Sequence, residues 1–331
     1  MNIYDISQKS GVSIATVSRV LNGSDHVSPQ TREKVLRVMA EENYTPNAFA
    51  RGLGLNTMRT IGILYTDPSD LYLANAVYYL GQAFREKGYD CLLCCSGYDL
   101  ADRQKYVNWL LSKKVDAIIL TGSYYVEECD LDNSYIRQAA QQVPVGILSG
   151  QVAGENICCA LCDDYQAAYQ MAGSLLRRDA EQILFLYHAM SDSVRHKIAG
   201  IRDAHQAYGS VFRDKYAVLC PHRDIDACRD YIRTLRSQLT FDAVMSTDDL
   251  LAAAALKFAQ DAGLQVPEQL RIVGYNDSVL ARCCTPALTT VDNHVQQLCT
   301  ALVDMLLENF AGNRSHQCFK IPGTPVFRGS T

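Results

Sequence analysis

From residue 60 onward, short apolar runs alternate with longer stretches in which apolar positions recur every three or four residues. The runs Thr60–Tyr65, Cys91–Cys95, Ala117–Leu120, Val145–Leu148, Cys158–Leu161, Ile183–Tyr187, Ala217–Leu219, Ala243–Ser246 and Arg271–Tyr275 predict strands. Helices are predicted at Leu71–Lys87, Arg103–Ser112, Ser134–Gln142, Tyr165–Arg177, Val194–Tyr208, Ala227–Gln238 and Leu250–Ala262. Strands that alternate with helices imply parallel sheets joined by right-handed crossovers. About ten strands are more than one sheet usually holds, so two lobes are expected. Ligands in such folds bind beyond the carboxyl ends of the strands, which places a site in the cleft between the lobes.

The first sixty residues carry a different, purely helical pattern. Asn2 is placed to cap a first helix, with Asp5 near the positive end of its dipole and Gly11 at its end. Ser13 caps a second helix, Ile14–Asn22, whose buried stripe is Val17, Val20 and Leu21. Gly23 stops it, and Ser28-Pro29 opens a third helix with Val35, Leu36, Val38 and Met39 as its apolar face. Two short helices around a glycine-containing turn, followed by a packing helix, form a helix-turn-helix layout. The second helix leaves Ile14, Ala15, Thr16, Ser18, Arg19 and Asn22 exposed. This short polar face suits the major groove, where hydroxyls meet phosphates and arginine reads guanine.

Charge changes its meaning when it is divided along the chain. The 331 residues carry a net charge of −5, which alone argues against a nucleic-acid binder. Residues 1–60 hold seven Lys/Arg against five Asp/Glu, a charge of +2, which leaves −7 on the remainder. Contact with a polyanion is therefore confined to the head. Thirteen cysteines, several adjacent, include Cys91-x-x-Cys94 and Cys159-x-x-Cys162, spacings that can hold zinc. They fall in apolar runs, where residues three apart point to opposite faces of a strand, so burial as small hydrophobes is expected instead. The odd count, with no signal-like leader and no apolar stretch of membrane-spanning length, points to a reducing cytoplasm and no membrane.

The string Gly11-Val12-Ser13-Ile14-Ala15-Thr16-Val17-Ser18-Arg19-Val20-Leu21-Asn22 closely resembles the lactose/galactose repressor (LacI/GalR) family. The same holds for Val27-Ser28-Pro29-x-Thr31-Arg32, for Asn43-Tyr44-x-Pro46-Asn47-x-x-Ala50-Arg51-x-Leu53 and, in the body, for Gly274-Tyr275-Asn276-Asp277 and Pro286-x-Leu288-Thr289-Thr290-Val291. The resemblance implies an α/β fold: an all-α helix-turn-helix head plus a two-lobed, periplasmic-binding-protein-like body of doubly wound parallel sheets. The implied divisions are a DNA-binding domain at 1–45, a hinge helix and linker at 46–59, and an effector-binding and dimerisation domain at 60–331. Its first lobe takes about 60–160 and 293–320, and its second about 161–291 and 321–331.

By the same resemblance, Ser13, Ile14, Ala15, Thr16, Ser18, Arg19 and Asn22 contact DNA. Asn47, Ala50 and Leu53 belong to a hinge helix in the minor groove, where Leu53 wedges into a central base step. Gly52 and Gly54 flank that leucine, and each costs about 1 kcal/mol of helix propensity. So short a helix is marginal alone, so it is expected to fold on DNA and to serve as the allosteric element. The leucine heptads that make some family members tetramers do not appear, so a homodimer on a pseudo-palindromic operator is expected.

The family's effector-binding positions fall on Tyr72, Leu73, Ser149, Lys197, Thr247, Asp248, Asn276 and Asn293. Ser149, Lys197 and Asn276 depart from the family's sugar-binding pattern, which has aspartate, arginine and aspartate there. Two carboxylates are lost and an arginine fork becomes a point charge. Lys197 is read either as a partner for a phosphate or carboxylate or as a solvated lysine, and Tyr72 as a stacking or a packing group. A pyranose effector is expected, with a phosphorylated sugar, a nucleobase or a corepressor as alternatives. Asp163-Asp164 and Asp248-Asp249 can be read as paired acid/base carboxylates, but each opens a helix after a strand, so capping explains them equally well. No phosphate-binding glycine loop, nucleophile elbow or cofactor motif appears, so no cofactor and no enzyme activity are expected. A plain solute-binding protein is the competing class, and the helix-turn-helix head argues against it.

Overall fold

The computed structural model describes residues 2–21, 23–44, 57–312 and 316–331. It divides into two compact units: Met1–Thr60 with Lys114–Asp116, and Ile61–Lys113 with Ala117–Thr331. The expected contacts Asn22, Asn47, Ala50 and Leu53, and with them the hinge helix, lie outside the described residues.

The first unit contains α1 (Ile3–Ser10), α2 (Ile14–Leu21) and α3 (Pro29–Glu41). Asn2 accepts from the backbone of Tyr4 and Asp5 at 2.9 and 3.2 Å, and the Asp5 carboxylate accepts from Asn2 N at 2.8 Å. That is a reciprocal capping box, a closer arrangement than the dipole contact expected of Asp5. Gly11, at φ 63°, turns the chain out of α1 in a conformation other residues rarely adopt. Ser13 and Ser28 accept from Thr16 N and Thr31 N, each at 3.2 Å, and so start α2 and α3. Ile6, Val17, Val20, Val27, Val35 and Met39 form a small core. Leu36 does not join it. It is half exposed on the outer side of α3, because Val35 and Met39, one turn apart, already fill the inward face.

The second unit begins with β1 (Thr60–Tyr65), α4 (Leu71–Glu86), β2 (Asp90–Cys95), α5 (Leu100–Ser112), β3 (Ala117–Thr121), α6 (Ser134–Ala140), β4 (Val145–Leu148) and β5 (Ile157–Asp163). There follow α7 (Asp164–Leu176), β6 (Ile183–Tyr187), α8 (Asp192–Ala207), β7 (Ala217–Leu219), α9 (Ile225–Gln238), β8 (Ala243–Ser246), α10 (Asp249–Asp261) and β9 (Arg271–Val273). Its last elements are α11 (Val279–Cys283), β10 (Thr290–Asp292), α12 (Val295–Phe310), β11 (Gln317–Pro322) and β12 (Thr324–Val326). One lobe is a six-stranded sheet in the order β11-β5-β4-β3-β1-β2, and the other a four-stranded sheet in the order β7-β6-β8-β9. The chain crosses between lobes after β5, after β10 and after β11, and an antiparallel β10–β12 pair joins the last two crossings.

Several helices begin two or three residues earlier than the apolar periodicity predicts. Asp99 accepts from Ala101 N at 2.8 Å, Asp224 from Asp226 N and Ala227 N at 3.0 Å, and Ser191 from Val194 N at 3.3 Å. The capping residue, not the apolar period, sets where each helix starts. The strand expected over Arg271–Tyr275 stops at Val273. A Cβ on Gly274 would meet Asp249 Oδ1 at 2.2 Å, and Asn276 and Asp277 then take positive φ and turn the chain. The expectation that the cysteines are buried fails for the exposed Cys95, Cys129, Cys283 and Cys318 and the half-buried Cys91 and Cys284, and β2 shows one reason. Cys94 is buried, but Cys95 is exposed and Cys91 half-buried, because β2 is an edge strand and only part of it is covered. Among the described residues all thirteen cysteines are free, and no three Cys, His, Asp or Glu side chains group as a metal site. No described helix is long and apolar enough to cross a membrane.

Candidate functional site

The carboxyl ends of both sheets face one cleft. Asp70 caps α4 by accepting from Tyr72 N at 2.8 Å and Leu73 N at 3.2 Å, which presents both residues in the first helical turn. Ser149 follows β4 directly and its hydroxyl is hydrogen-bonded to that of Tyr72. From the other lobe, Thr247 and Asp248 follow β8. Asp248 caps α10 through Leu251 N at 2.9 Å and accepts from the Thr247 hydroxyl at 3.2 Å. Asn276 lies beyond β9, and Asn293, from the crossing after β10, donates its amide to Asn276 Oδ1 at 2.7 Å.

All eight positions named from the sequence line a single cavity. Asp70, Asp164, His188, Ser193 and Tyr275 share its wall. An adjoining cavity adds Leu71, Arg223 and Leu250, and the two have Asp70, Tyr72, His188, Asp248 and Asn276 in common. His188 Nε2 lies 3.4 Å from Asp248 Oδ2, whereas His196 points outward and stays off the wall. Asn293 Oδ1 is buried with no hydrogen-bond partner among the described residues, an unmet acceptor at the cavity surface.

Lys197 lines the cavity and is not a solvated lysine. It is 4% exposed, and its ammonium donates to Asp164 Oδ1 at 2.8 Å and to the Ser193 hydroxyl at 2.5 Å. It also lies 4.0 Å from the centre of the Tyr275 ring, whose hydroxyl donates to the same Asp164 oxygen at 2.6 Å. The charge is thus compensated inside the protein. An ammonium has three donors, and two hydrogen bonds and a ring face occupy them.

Each acidic pair divides its labour. Asp163 caps α7 through Gln166 N at 3.1 Å, while Asp164 takes the lysine. Asp248 caps α10, while Asp249 turns inward to accept from Ser278 N and the Thr290 hydroxyl, each at 2.7 Å. Burial pushes Asp249 up to about 6. Asp70 is pushed up to about 6 as well, by burial first and then by the Asp248 charge facing it from the other lobe. Burial raises the Tyr72 and Tyr275 hydroxyls, so both are neutral hydrogen-bonding groups. The sequence reading missed Asp70 and Asp164 as wall residues. The adjacent acids were a signal, but capping accounted for them.

In the first unit, Ser13, Ile14, Ala15 and Arg19 are exposed on α2, with Thr16 and Ser18 half-buried beside them. The Ser13 and Thr16 hydroxyls lie 2.9 Å apart, so helix capping and the polar face use the same atoms.

Residues 2–47 match the family of bacterial regulatory proteins of the lacI type, and residues 174–331 match the periplasmic binding protein-like domain. An HTH-type transcriptional regulator of Lachnoclostridium phytofermentans is 47% identical over 313 residues, 95% of this chain and 94% of that protein. The sucrose operon repressor of Pediococcus pentosaceus is 31% identical, over 92% of this chain and 91% of its own. A crystal structure of the Lac repressor dimer bound to operator and the anti-inducer ONPF has the same fold. Its TM-score is 0.84 at 24% identity, over 100% of this chain and 99% of that one. The helix-turn-helix head and two-lobed body are thus those of a known class: the chain belongs to the lacI family of bacterial regulatory proteins and is a DNA-binding transcriptional regulator.

Proposed function

We propose that this regulator is a cytoplasmic homodimer that represses sugar-utilisation genes and is released by a neutral, polyhydroxylated effector held in the interlobe cleft. The observation that carries the reading is convergence. Eight positions scattered from residue 72 to residue 293 line one cavity. Six of them, Tyr72, Ser149, Thr247, Asp248, Asn276 and Asn293, carry a hydroxyl, an amide or a carboxylate, which donate to and accept from sugar hydroxyls, and the ammonium of Lys197 is already paired with Asp164. The sucrose operon repressor among the relatives supports a sugar.

A phosphorylated effector is the second reading, and the Lys197–Asp164 pair weighs against it. An anion would have to compete with a carboxylate already 2.8 Å away. On the DNA side, Ser13, Ile14, Ala15, Thr16, Ser18, Arg19 and Asn22 are proposed to read the major groove, and Asn47, Ala50 and Leu53 the minor groove. The head is assigned to 1–45, the hinge to 46–59 and the effector domain to 60–331. A thermal-shift screen of the full chain against neutral sugars and their phosphates tests the effector class. A ligand at 100 times its dissociation constant stabilises the native state by about 2.7 kcal/mol. Stabilisation by a neutral sugar and not by its phosphate is expected, and the reverse order would retire the reading.

A further inference from the structure

A pair of buried nucleophiles lies behind the cleft, outside the machinery described so far. Cys220 follows β7 and Cys228 ends the first turn of α9. Both are fully buried and their Sγ atoms lie 3.6 Å apart. Both thiols also face one acceptor, the His222 carbonyl, at 3.8 and 3.3 Å.

The segment between them, residues 221–227, whose last three residues open α9, reaches the cleft. Arg223 lines the outer cavity, and its guanidinium carbon lies 4.7 Å from the centre of the Tyr98 ring, which belongs to the opposite lobe. His188, on the wall of both cavities, has Nδ1 3.4 Å from the Cys220 carbonyl and Nε2 3.4 Å from Asp248. A change at the two sulfurs is therefore passed to the cleft through this segment and through the backbone of Cys220.

We propose that Cys220 and Cys228 form a redox-active dithiol, oxidised by a peroxide to a disulfide that restrains the Arg223 loop at the mouth of the cleft. The contact between the thiols lowers that of Cys220 and raises that of Cys228, which makes Cys220 the nucleophile. Its thiolate attacks one peroxide oxygen, the O–O bond breaks, and a sulfenic acid and hydroxide form. The sulfur of Cys228 then attacks that of Cys220. The S–S bond forms, the S–O bond breaks, and the departing hydroxide leaves as water with the Cys228 proton. Each sulfur loses one electron and each peroxide oxygen gains one, so two thiols and one hydrogen peroxide give one disulfide and two waters. The sulfurs need approach by only about 1.5 Å to reach bonding distance. Full burial favours a small oxidant over a bulky disulfide donor.

The full-length reduced chain, treated with hydrogen peroxide, alkylated in denaturant and cut with trypsin, tests this. Cleavage after Lys215, Arg223 and Arg229 places the two cysteines on separate peptides, 216–223 and 224–229. The expected result is a linked pair of these peptides that dithiothreitol separates, with the loss of two of the thirteen thiols. Amide hydrogen exchange in 221–227 is expected to slow on oxidation. Cys220→Ser and Cys228→Ser are each expected to abolish the linked pair and to leave exchange insensitive to peroxide. Oxidation of the exposed Cys95, Cys129, Cys283 and Cys318, with 216–223 and 224–229 still separately alkylated, would overturn the proposal. A linked pair with unchanged exchange would overturn the restraint on Arg223.

Discussion

Asp164 and Lys197 form a buried ion pair 2.8 Å across, between the first residue of α7 and the second turn of α8. Their side chains are 12% and 5% exposed, so water compensates neither charge if the other is removed. Asp164→Asn is expected to cost about 3–5 kcal/mol, because it leaves the ammonium buried without a counterion. The double variant Asp164→Leu/Lys197→Met should cost much less than the sum of the single changes. Urea denaturation of the four proteins measures this, and additivity would contradict it.

The same two helices are held at their distance by a glycine. A Cβ on Gly200 would lie 2.3 Å from the Tyr165 carbonyl oxygen and 3.0 Å from Tyr169 N, both backbone atoms that cannot rotate away. Gly200→Ala must therefore push α8 off α7 and draw Lys197 away from Asp164. A loss of about 1–3 kcal/mol is expected from the overpacking alone. Weaker effector binding should accompany it, and calorimetry with the sugar found by screening reads that effect. Unchanged stability would show that the helices shift freely.

Asp249 gives stability a pH dependence of defined sign. Its carboxyl is pushed up to about 6 in the fold, against about 3.9 in an unfolded chain. Between these values the native state binds more protons, so this group's contribution is full below about pH 4 and is lost as pH rises through 6. A rise of that size corresponds to roughly 3 kcal/mol. Asp70, also pushed up to about 6, acts in the same direction. Asp249→Asn is expected to narrow the difference between urea midpoints at pH 4.5 and pH 7.5. An unchanged difference would count against a protonated Asp249.

Arg19 is exposed on α2 and carries the guanidinium fork of the proposed reading face. Arg19→Ala is expected to weaken operator binding by about 1–3 kcal/mol and to relax base preference at one position per half-site. A uniform loss on all sequences would make it a phosphate contact instead.

The head was legible because its determinants are local. Asn2 and Asp5, Ser13 and Thr16, and Ser28 and Thr31 each lie three residues apart, and each closes a cap that a sequence displays. The cleft positions became legible through family resemblance, since no periodicity links Tyr72 to Asn293. What stayed hidden is non-local. The lysine's partner is 33 residues away, and β11, whose run Gln317–Pro322 is too polar to announce a strand, pairs with β5 across more than 150 residues. Likewise, Cys94 and Cys95 point to opposite faces of β2, and which of those faces is covered depends on packing from distant parts of the chain.

Selection of the full-length protein on a library of random DNA duplexes, followed by fluorescence anisotropy on the enriched sequence, tests the proposed function most directly. The expected outcome is a pseudo-palindromic site bound by a dimer, with steep salt dependence and release by the same neutral sugar that raises the melting temperature. Enrichment of no symmetric site, or a complex that a sugar bound in the cleft leaves unchanged in affinity, would contradict it.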